Sequence, residues 1–334
     1  MSKYSYSKLI KIICLVCAIA MLPAFAACDA GDESDETVGE IYHTVSFNTN
    51  GGTVIESIQV RDNHYATRPE DPTLDNYVFR RWERDGREWH FDTKKVTESV
   101  MISALWVSAV ELFELEPEEN GDGLVIVDFK KAASFSTLKI PDVINGKKVV
   151  GLADSAFANT STDHAKLIIL PDTIVSVGNE AFKDTSEISF DIRGTLTSIG
   201  ESSFEGCALL EKVKLGDGMT SIPFMAFFKC SSLKTIAIPK TVEFIDENAF
   251  EGCGSLVTIV IPASLTSVAD SAFTSCNSLK TIFYEGTEEQ FDAIELADGN
   301  EALLNARLYI YSETEPTEDG LWWHYDNSGS PVIW

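Results

Sequence analysis

The chain has 334 residues, of which 52 are acidic and 26 are basic, giving a formal net charge of −26. This surplus of negative charge repels polyphosphates and anionic lipid surfaces, so we expect no nucleic-acid partner and no direct contact with an anionic membrane. The length exceeds that of a usual single domain, so two or more structural units are expected.

Residues 1–27 have the features of an export signal. Three lysines and an apolar run over residues 9–20 precede the small-residue stretch LPAFAAC, which ends at Cys28. The run is shorter than the roughly 20 residues that a helix needs to cross a bilayer. The residues FAAC resemble the lipobox of bacterial lipoproteins, which implies that the Cys28 thiol carries a diacylglycerol; the alternative is an ordinary signal cut near the same alanines. We therefore expect an exported chain whose only membrane contact is a lipid anchor.

Residues 28–40 form an acidic linker. After Cys28 the sequence DAGDESDETVGE has a single aliphatic side chain, Val38, and several carboxylates. Such a segment cannot bury enough apolar surface to fold, and its charges repel one another. We expect an extended spacer.

Residues 41–107 show the alternation of apolar and polar side chains that is typical of strands. HTVSFNTNGGTVIESIQV predicts two strands around a turn at Asn50-Gly51, and Val54 is expected to begin the second strand. The segments NYVFRRW, REWHF and MISALW predict further short strands. Together these segments resemble the Listeria–Bacteroides repeat, which implies a small β-grasp-like module. A single copy of that repeat implies a spacer or weak adhesion module rather than an enzyme.

A repeat of 22 to 25 residues dominates the rest of the chain. It is marked by six equivalent phenylalanines, Phe157, Phe182, Phe204, Phe227, Phe250 and Phe273. A period of this length predicts a solenoid in which neighbouring coils share one core. In each unit, L-x-x-I-x-I predicts a strand that proline ends, and the spacing V-x-x-I-x-x-x-A-F predicts a helical or 3₁₀ turn. Stacking of the units would then place each phenylalanine on the next.

This pattern resembles the BspA-like leucine-rich repeats of bacterial surface antigens over residues 111–312. The triplet NGK at 145–147 is interpreted as an inserted turn, and residues 284–312 as a helix and a final strand that cap the solenoid. Residues 313–334 resemble the closing hairpin of that class. The predicted fold class is a mainly β repeat protein: a leucine-rich repeat solenoid with short helical or 3₁₀ turns, preceded by a small β-grasp-like module.

Four cysteines occupy one position of the repeat, three residues after the phenylalanine: Cys207, Cys230, Cys253 and Cys276. The same position holds Thr160 and Thr185 in earlier units, so small buried packing residues are the favoured interpretation. Disulfides between coils remain an alternative, because coils about 4.8 Å apart satisfy the Cα spacing of a bridge although parallel Cβ atoms do not converge. Metal binding or catalysis by these thiols is less favoured, since a zinc site needs ligands that converge on one point, which a column does not supply.

No template for catalysis is present. The five histidines fall in separate elements, and neither His-x-x-x-His nor Gly-x-Ser-x-Gly occurs. EENGDG at 118–123 partly resembles a calcium loop, but Phe129 stands where a bidentate glutamate is required, so a solvated turn is favoured. We expect no enzyme activity, no cofactor and no metal site.

The outward side of the predicted repeat sheet is the candidate contact surface. One outward column contains Ile169, Asp191, Lys214, Ala237, Val260 and Phe283, and the neighbouring column contains Lys212, Thr235, Thr258 and Thr281. Within them, Val260 and Phe283 are expected to form a small exposed apolar patch. The candidate ligand-binding residues are Lys212, Lys214, Thr235, Ala237, Thr258, Val260, Thr281 and Phe283. The alternative is that threonine and valine occur there because they suit strands.

The functional prediction is a monomeric cell-surface protein that binds an extracellular protein or glycan without catalysis. Two alternatives remain open. The first alternative is a structural spacer of the cell envelope, and the second is the targeting component of a surface hydrolase system.

Overall fold

The computed structural model describes residues 40–334 except 120, 131–133, 162, 187, 193 and 318. Ile41–Trp334 forms one compact unit. The predicted signal segment, the lipidation residue Cys28 and all but the last residue of the acidic linker lie outside the described residues. In the part of the chain that is described, no helix is long and apolar enough to cross a membrane.

The first part of the unit is a small β module. Its strands are β1 (Tyr42–Asn48), β2 (Ile58–Arg61), β3 (His64–Tyr65), β4 (Tyr77–Arg84), β5 (Arg87–Glu88), β6 (Lys95–Val96) and β7 (Val100–Ser108). Five of them form a sheet in the order β2-β1-β7-β4-β5, in which only β1 and β7 are parallel, while β3 pairs with β6. The core of the module includes Val45, Trp82 and Ile102. The predicted turn at Asn50-Gly51 is present with positive φ at both residues. Val54, however, lies in the loop before β2, so the expected second strand begins later than predicted.

The chain then enters the solenoid through α1 (Ala109–Leu112), β8 (Phe113–Pro117) and β9 (Leu124–Phe129). One wall of the solenoid, which we call the repeat sheet, contains the strands of the repeat units and the final strand of the cap. The repeat strands are β10 (Phe135–Lys139), β13 (Ala165–Leu170), β15 (Ser189–Ile192), β18 (Thr235–Ala237), β20 (Thr258–Ile261) and β22 (Thr281–Tyr284), and the cap strand is β24 (Arg307–Tyr311). The opposite wall, the short-strand side, consists of two sheets. One contains β12 (Lys147–Leu152), β14 (Ser176–Val177) and β16 (Ser198–Ile199) with β8 and β9, and the other contains β17 (Ser221–Ile222), β19 (Phe244–Ile245), β21 (Ser267–Val268) and β23 (Glu295–Leu296). Successive coils pair in parallel within each sheet, and each wall is interrupted once, between β15 and β18 and between β16 and β17.

The NGK triplet forms the turn that the sequence predicts. β11 (Val143–Ile144) pairs antiparallel with β12 around Asn145 and Gly146, both of which have positive φ. Such a two-residue turn needs left-handed backbone at both positions, which asparagine and glycine tolerate.

In the regular units, the stretch after the repeat-sheet strand is a two-residue strand followed by hydrogen-bonded turns, rather than a continuous helix. In each unit the chain adopts positive φ two residues before and two residues after the phenylalanine, as at Asn248 (φ 56°) and Gly252 (φ 77°) around Phe250. The turns are closed by bonds between residues three apart, as from the Glu251 amide to the Asn248 carbonyl and from the Cys253 amide to the Phe250 carbonyl, both at 3.1 Å. This is the hydrogen-bond pattern of the predicted 3₁₀ turn. Small or flexible residues fit there because left-handed backbone costs a side chain with Cβ roughly 1–2 kcal/mol.

The six phenylalanines form a continuous buried stack. Neighbouring ring centroids lie 5.1 to 5.5 Å apart, with interplanar angles between 4° and 26°. Phe129 extends the stack at the N-terminal end, 5.3 Å from Phe157. At the other end, the buried Asn300 accepts a hydrogen bond from the Phe273 amide (3.0 Å) and donates to two main-chain carbonyls. A side-chain amide therefore satisfies the main-chain groups that a further coil would have paired.

The predicted cap consists of two short helices, α2 (Glu288–Asp292) and α3 (Glu301–Asn305), followed by β24. Thr287 and Gln290 form a capping box at the start of α2. The closing hairpin consists of β25 (Trp322–Tyr325) and β26 (Pro331–Ile333), and it joins the repeat sheet because β25 pairs in parallel with β24. The β module covers the opposite end of the solenoid, where Val78 of β4 enters the solenoid core and the Ala109 amide donates to the Asn76 carbonyl (2.8 Å).

Candidate ligand-binding surfaces

The predicted register of the outward columns is correct over three neighbouring strands. Thr235, Thr258 and Thr281 are aligned in parallel pairing, and Ala237 is aligned with Val260. The three threonines are exposed or half-exposed. We call these threonines and Ala237 the outer face.

The prediction of an exposed apolar patch at Val260 and Phe283 is wrong. Val260 is 4% exposed and Phe283 is 6% exposed, because the closing hairpin covers both side chains. The indole of Trp323 is fully buried on this side of the sheet, with its ring centroid 5.1 Å from that of Phe283. Its Nε1 donates to the Tyr284 carbonyl at 3.0 Å. Burial under an aromatic side chain removes Val260 and Phe283 from the set of contact residues.

Lys212 and Lys214 are exposed, but they do not extend the outer face as predicted. The repeat sheet stops at β15 and resumes at β18, and residues 211–214 between them form no strand. Leu215 instead forms an isolated parallel bridge with Leu196, whose amide donates to the Lys214 carbonyl (3.0 Å). The proline that follows the strand in the regular units is replaced by Arg193 and Gly216 in these two units. Its absence marks both units as irregular in the sequence, although β15 still pairs with β13.

The four repeat cysteines are free and buried, as the packing interpretation requires. Each thiol donates to the carbonyl oxygen of the phenylalanine in the preceding unit, at Sγ–O distances of 3.1 to 3.3 Å. Thr160 and Thr185 occupy the same position and bond the phenylalanine carbonyl of their own unit. The shared role of this position is therefore to bond the main chain beside the phenylalanine stack.

Burial also makes these thiols poor nucleophiles. Desolvation raises the pKa of Cys207 and of Cys276 to about 12, and it raises the pKa of Cys230 and Cys253 well above the usual value. Because the thiolate is the reactive form, the column carries no nucleophile at neutral pH. Among the described residues, no group of three or more histidine, cysteine, aspartate or glutamate side chains is placed to hold a metal ion.

A pocket of about 300 Å³ lies at the carboxyl ends of the repeat-sheet strands, and we call it the tyrosine pocket. Its lining includes Tyr311, Tyr325, Glu285 and Lys240. The Tyr325 hydroxyl donates to Glu285 Oε1 at 2.7 Å, and the two tyrosine rings lie 6.0 Å apart. Partial burial and the Glu285 carboxylate raise the pKa of Tyr325, so its hydroxyl stays protonated and fixed in this bond. Sequence reasoning missed this pocket because the closing hairpin, which supplies Tyr325, was not placed on the sheet.

A second, larger cavity of about 680 Å³ lies between the β module and the solenoid, and we call it the module cleft. Arg80, Arg81 and Trp89 line its module side, while Phe135 and Lys166 line its solenoid side. The consecutive arginines of YVFRRW are visible in the sequence, but the pattern there predicts only a short strand of the β module. The cleft depends on packing between two units, which neither unit's pattern predicts.

Comparisons with known proteins match both parts of the chain. The Listeria–Bacteroides repeat domain model matches residues 43–104, and the model of the BspA-type leucine-rich repeat region matches in 6 copies over 129–230 and 150–280. Two curated proteins of Evansella cellulosilytica, both named as membrane proteins, are 23% identical over 173 and 155 residues, which cover 51% and 46% of this chain. The chain spans only 19% and 23% of the length of these relatives.

Several similar solved structures are named as leucine-rich proteins. A leucine-rich cell surface protein from Faecalibacterium prausnitzii is 25% identical, with 59% of this chain and 45% of that chain covered and a TM-score of 0.37. The leucine-rich repeat protein of T. pallidum is 23% identical, with coverages of 60% and 84% and a TM-score of 0.35. One from Eubacterium ventriosum is 18% identical, with coverages of 67% and 56% and a TM-score of 0.41. The chain thus contains BspA-type leucine-rich repeats within residues 129–280 and a Listeria–Bacteroides repeat domain at residues 43–104.

Proposed function

We propose that this protein is a non-catalytic surface protein that binds an extracellular protein or glycan through the outer face of its solenoid. The curated relatives are named as membrane proteins, which agrees with a location at the cell envelope. Export through the signal at residues 1–27 and lipidation of Cys28 would place the solenoid outside the membrane on an acidic spacer.

The observation that carries the proposal is the ordered, accessible row formed by Thr235, Thr258 and Thr281. These hydroxyls are held in parallel register on three hydrogen-bonded strands, so they repeat every ~4.8 Å on a rigid support. A rigid surface loses little conformational entropy when a partner binds. Ala237 is exposed beside the row.

The tyrosine pocket adds an aromatic edge to the same sheet. Tyrosine presents an apolar ring and a polar tip, a combination that is enriched at interfaces. Because Tyr325 is held by Glu285, its ring position is fixed before any ligand arrives. The outer face and the tyrosine pocket together replace the buried Val260 and Phe283 as the contact surface.

Binding measurements with paired variants test this function. The purified protein is assayed by biolayer interferometry against a panel of extracellular-matrix proteins and polysaccharides. Thr235→Glu with Thr258→Glu is compared with Ser198→Glu with Thr220→Glu, which adds the same charge at exposed positions on the short-strand side. We expect the first pair to weaken binding at least tenfold and the second pair to leave it unchanged. Equal loss in both pairs would contradict the proposal, and no binding across the panel would favour a structural spacer.

A further inference from the structure

The module cleft lies apart from the outer face and has the features of a ligand site. Its volume of about 680 Å³ falls within the range of roughly 300–1,000 Å³ that small-molecule sites occupy. One wall comes from the β module and the other from the start of the repeat sheet, at β10 and at Lys166 of β13. A cavity of this size suits a few linked rings better than a protein surface, which buries about 800 Å² on each partner.

The charge of the cleft is opposite to that of the chain. The whole sequence has 52 acidic and 26 basic side chains, whereas the cleft is lined by the four basic residues Arg68, Arg80, Arg81 and Lys166 and by only two acidic ones, Glu88 and Asp92. Arg68 is paired with Asp71 at 2.8 Å. This local excess of positive charge attracts a small anion to the cleft, while the acidic remainder of the protein surface repels it.

A β-bulge places two consecutive arginines on this cleft. Successive side chains of a regular strand point to opposite faces, so Arg80 and Arg81 would normally diverge. The pairing of β4 with β7 shifts register between Phe79 and Arg81, which makes Arg80 the extra residue. A bulge of this kind redirects side chains and is common beside functional sites. Both arginines therefore line the cleft.

These side chains retain hydrogen-bond donors that the protein does not satisfy. The Nε atoms of Arg80 and Arg81 and the indole Nε1 of Trp89 are shielded from solvent without an acceptor in the described part of the chain. The ion pair of Arg81 is long, with Nη2 at 3.5 Å from Glu83 Oε2. A guanidinium carries five donors, and its hydrogen bonds to an anionic oxygen are stronger than those to a neutral one. Because these three atoms are shielded, an anion in the cleft would reach them only after the side chains move. The accessible part of Arg81, whose side chain is 28% exposed, meets the anion first.

Aromatic side chains accompany the arginines. Trp89 forms a buried part of the lining, and Phe91 is half-buried beside it with the Arg68 guanidinium 5.9 Å from its ring centroid. Aromatic rings contact the apolar faces of sugar rings, while arginine forks match carboxylate and sulfate oxygens. This combination favours an acidic carbohydrate over a simple inorganic anion.

We propose that the module cleft binds an acidic oligosaccharide, with Arg80 and Arg81 holding its carboxylate or sulfate groups and Phe91 contacting a sugar ring. Lys166 reaches the same ligand from the solenoid side, so the site exists only where the β module and the solenoid are packed together. The proposal does not depend on binding at the outer face, and either can fail without the other.

Isothermal titration calorimetry on the whole protein at low ionic strength tests the site. The probes are trigalacturonate for carboxylates, a heparin-derived tetrasaccharide for sulfates, maltotriose as the neutral saccharide and hexaglutamate as the acidic peptide. We expect at least one acidic saccharide to bind, with affinity that falls as salt is added, and maltotriose not to bind. Arg80→Gln with Arg81→Gln should weaken binding at least tenfold, and Lys166→Gln about threefold or more.

The matched control is Lys147→Gln with Lys148→Gln, which removes the same charge from exposed positions on the β11–β12 hairpin. This control should bind like the unmodified protein. Equal weakening in control and site variants, or absence of binding by both acidic saccharides, would overturn the proposal. Tighter binding of hexaglutamate than of either saccharide would instead identify a peptide site. If the double arginine variant does not fold, Lys166→Gln and Arg68→Gln take its place, because both residues are exposed and their loss should not disturb the fold. Binding of the acidic saccharide as tight as in the unmodified protein by both variants would then overturn the proposal.

Discussion

Replacing Trp323 by alanine should detach the closing hairpin from the repeat sheet. The indole of Trp323 is fully buried, lies 4.8 to 5.2 Å from the rings of Phe283, Tyr311 and Tyr325, and donates to the Tyr284 carbonyl. The substitution removes these contacts together and leaves the apolar side chains of Val260 and Phe283 uncovered. It therefore creates the exposed patch that the sequence suggested and the fold prevents.

The expected cost is about 4 kcal/mol, because truncation of a buried phenylalanine or tryptophan typically costs about 3–5 kcal/mol. The loss should be local, since a solenoid transmits stability mainly between neighbouring coils. The Ile310 and Ser312 amides donate to the carbonyls of Leu321 and Trp323 at 2.8 and 2.9 Å, so they report directly on hairpin detachment. At 1.4 kcal/mol per factor of ten, their exchange should accelerate by roughly 10³-fold.

Hydrogen exchange followed by mass spectrometry measures this effect in the peptides that contain residues 307–312 and 322–333. Trp334→Ala is the matched control, because Trp334 is 43% exposed although it also bonds a main-chain carbonyl. The control should change exchange in residues 307–312 by about tenfold or less, because it removes only a hydrogen bond worth roughly 1 kcal/mol and the partly exposed stacking of Trp334 on His324. Exchange in the Trp323 variant within tenfold of the unmodified protein would refute the reasoning.

Two further predictions concern the solenoid core. After denaturation without reductant, iodoacetamide should label all four repeat cysteines, as mass-spectrometric mapping would show. In the native protein at pH 8 it should label none of them, because a thiol with a pKa of about 12, as at Cys207, is almost entirely protonated at that pH. An oxidised pair, or rapid labelling of the native protein, would contradict the packing role. Phe227→Ala should lower the free energy of unfolding by about 3–5 kcal/mol in guanidinium titrations. Phe228→Ala is the control and should lower it far less, because Phe228 is only half-buried. Similar losses for both variants would show that the stack is not the main source of stability.

The repeat core was predictable from the sequence because every unit places equivalent residues at the same offset. Parallel pairing of successive coils converts a spacing of 23 residues directly into a column, as the stacked rings of Phe227 and Phe250 show. The alignment of Thr235, Thr258 and Thr281 followed by the same reasoning. The period of the sequence is therefore sufficient to predict any contact between a residue and its equivalent in the next unit.

The remaining features depend on contacts between segments that share no period. Trp323 covers Phe283 from a hairpin outside the repeats, so the buried state of Phe283 was not visible in its own unit. The break before β18 occurs after two consecutive units that lack the proline, and the spacing of the phenylalanines does not reveal it. The module cleft needs both a β-bulge at Arg80 and the packing of two different units.

Hydroxyl-radical footprinting of the ligand complex tests the central claim most directly, because it reports which side chains a bound partner covers. The measurement uses the panel component that binds, at saturation, and compares oxidation of the half-exposed Tyr311 and Tyr325 with that of Tyr65, an exposed residue of the β module. Binding through the repeat sheet and its tyrosine pocket predicts that oxidation of Tyr311 and Tyr325 falls to half or less while that of Tyr65 is unchanged. Protection of Tyr65 with no change at Tyr311 and Tyr325 would contradict the account.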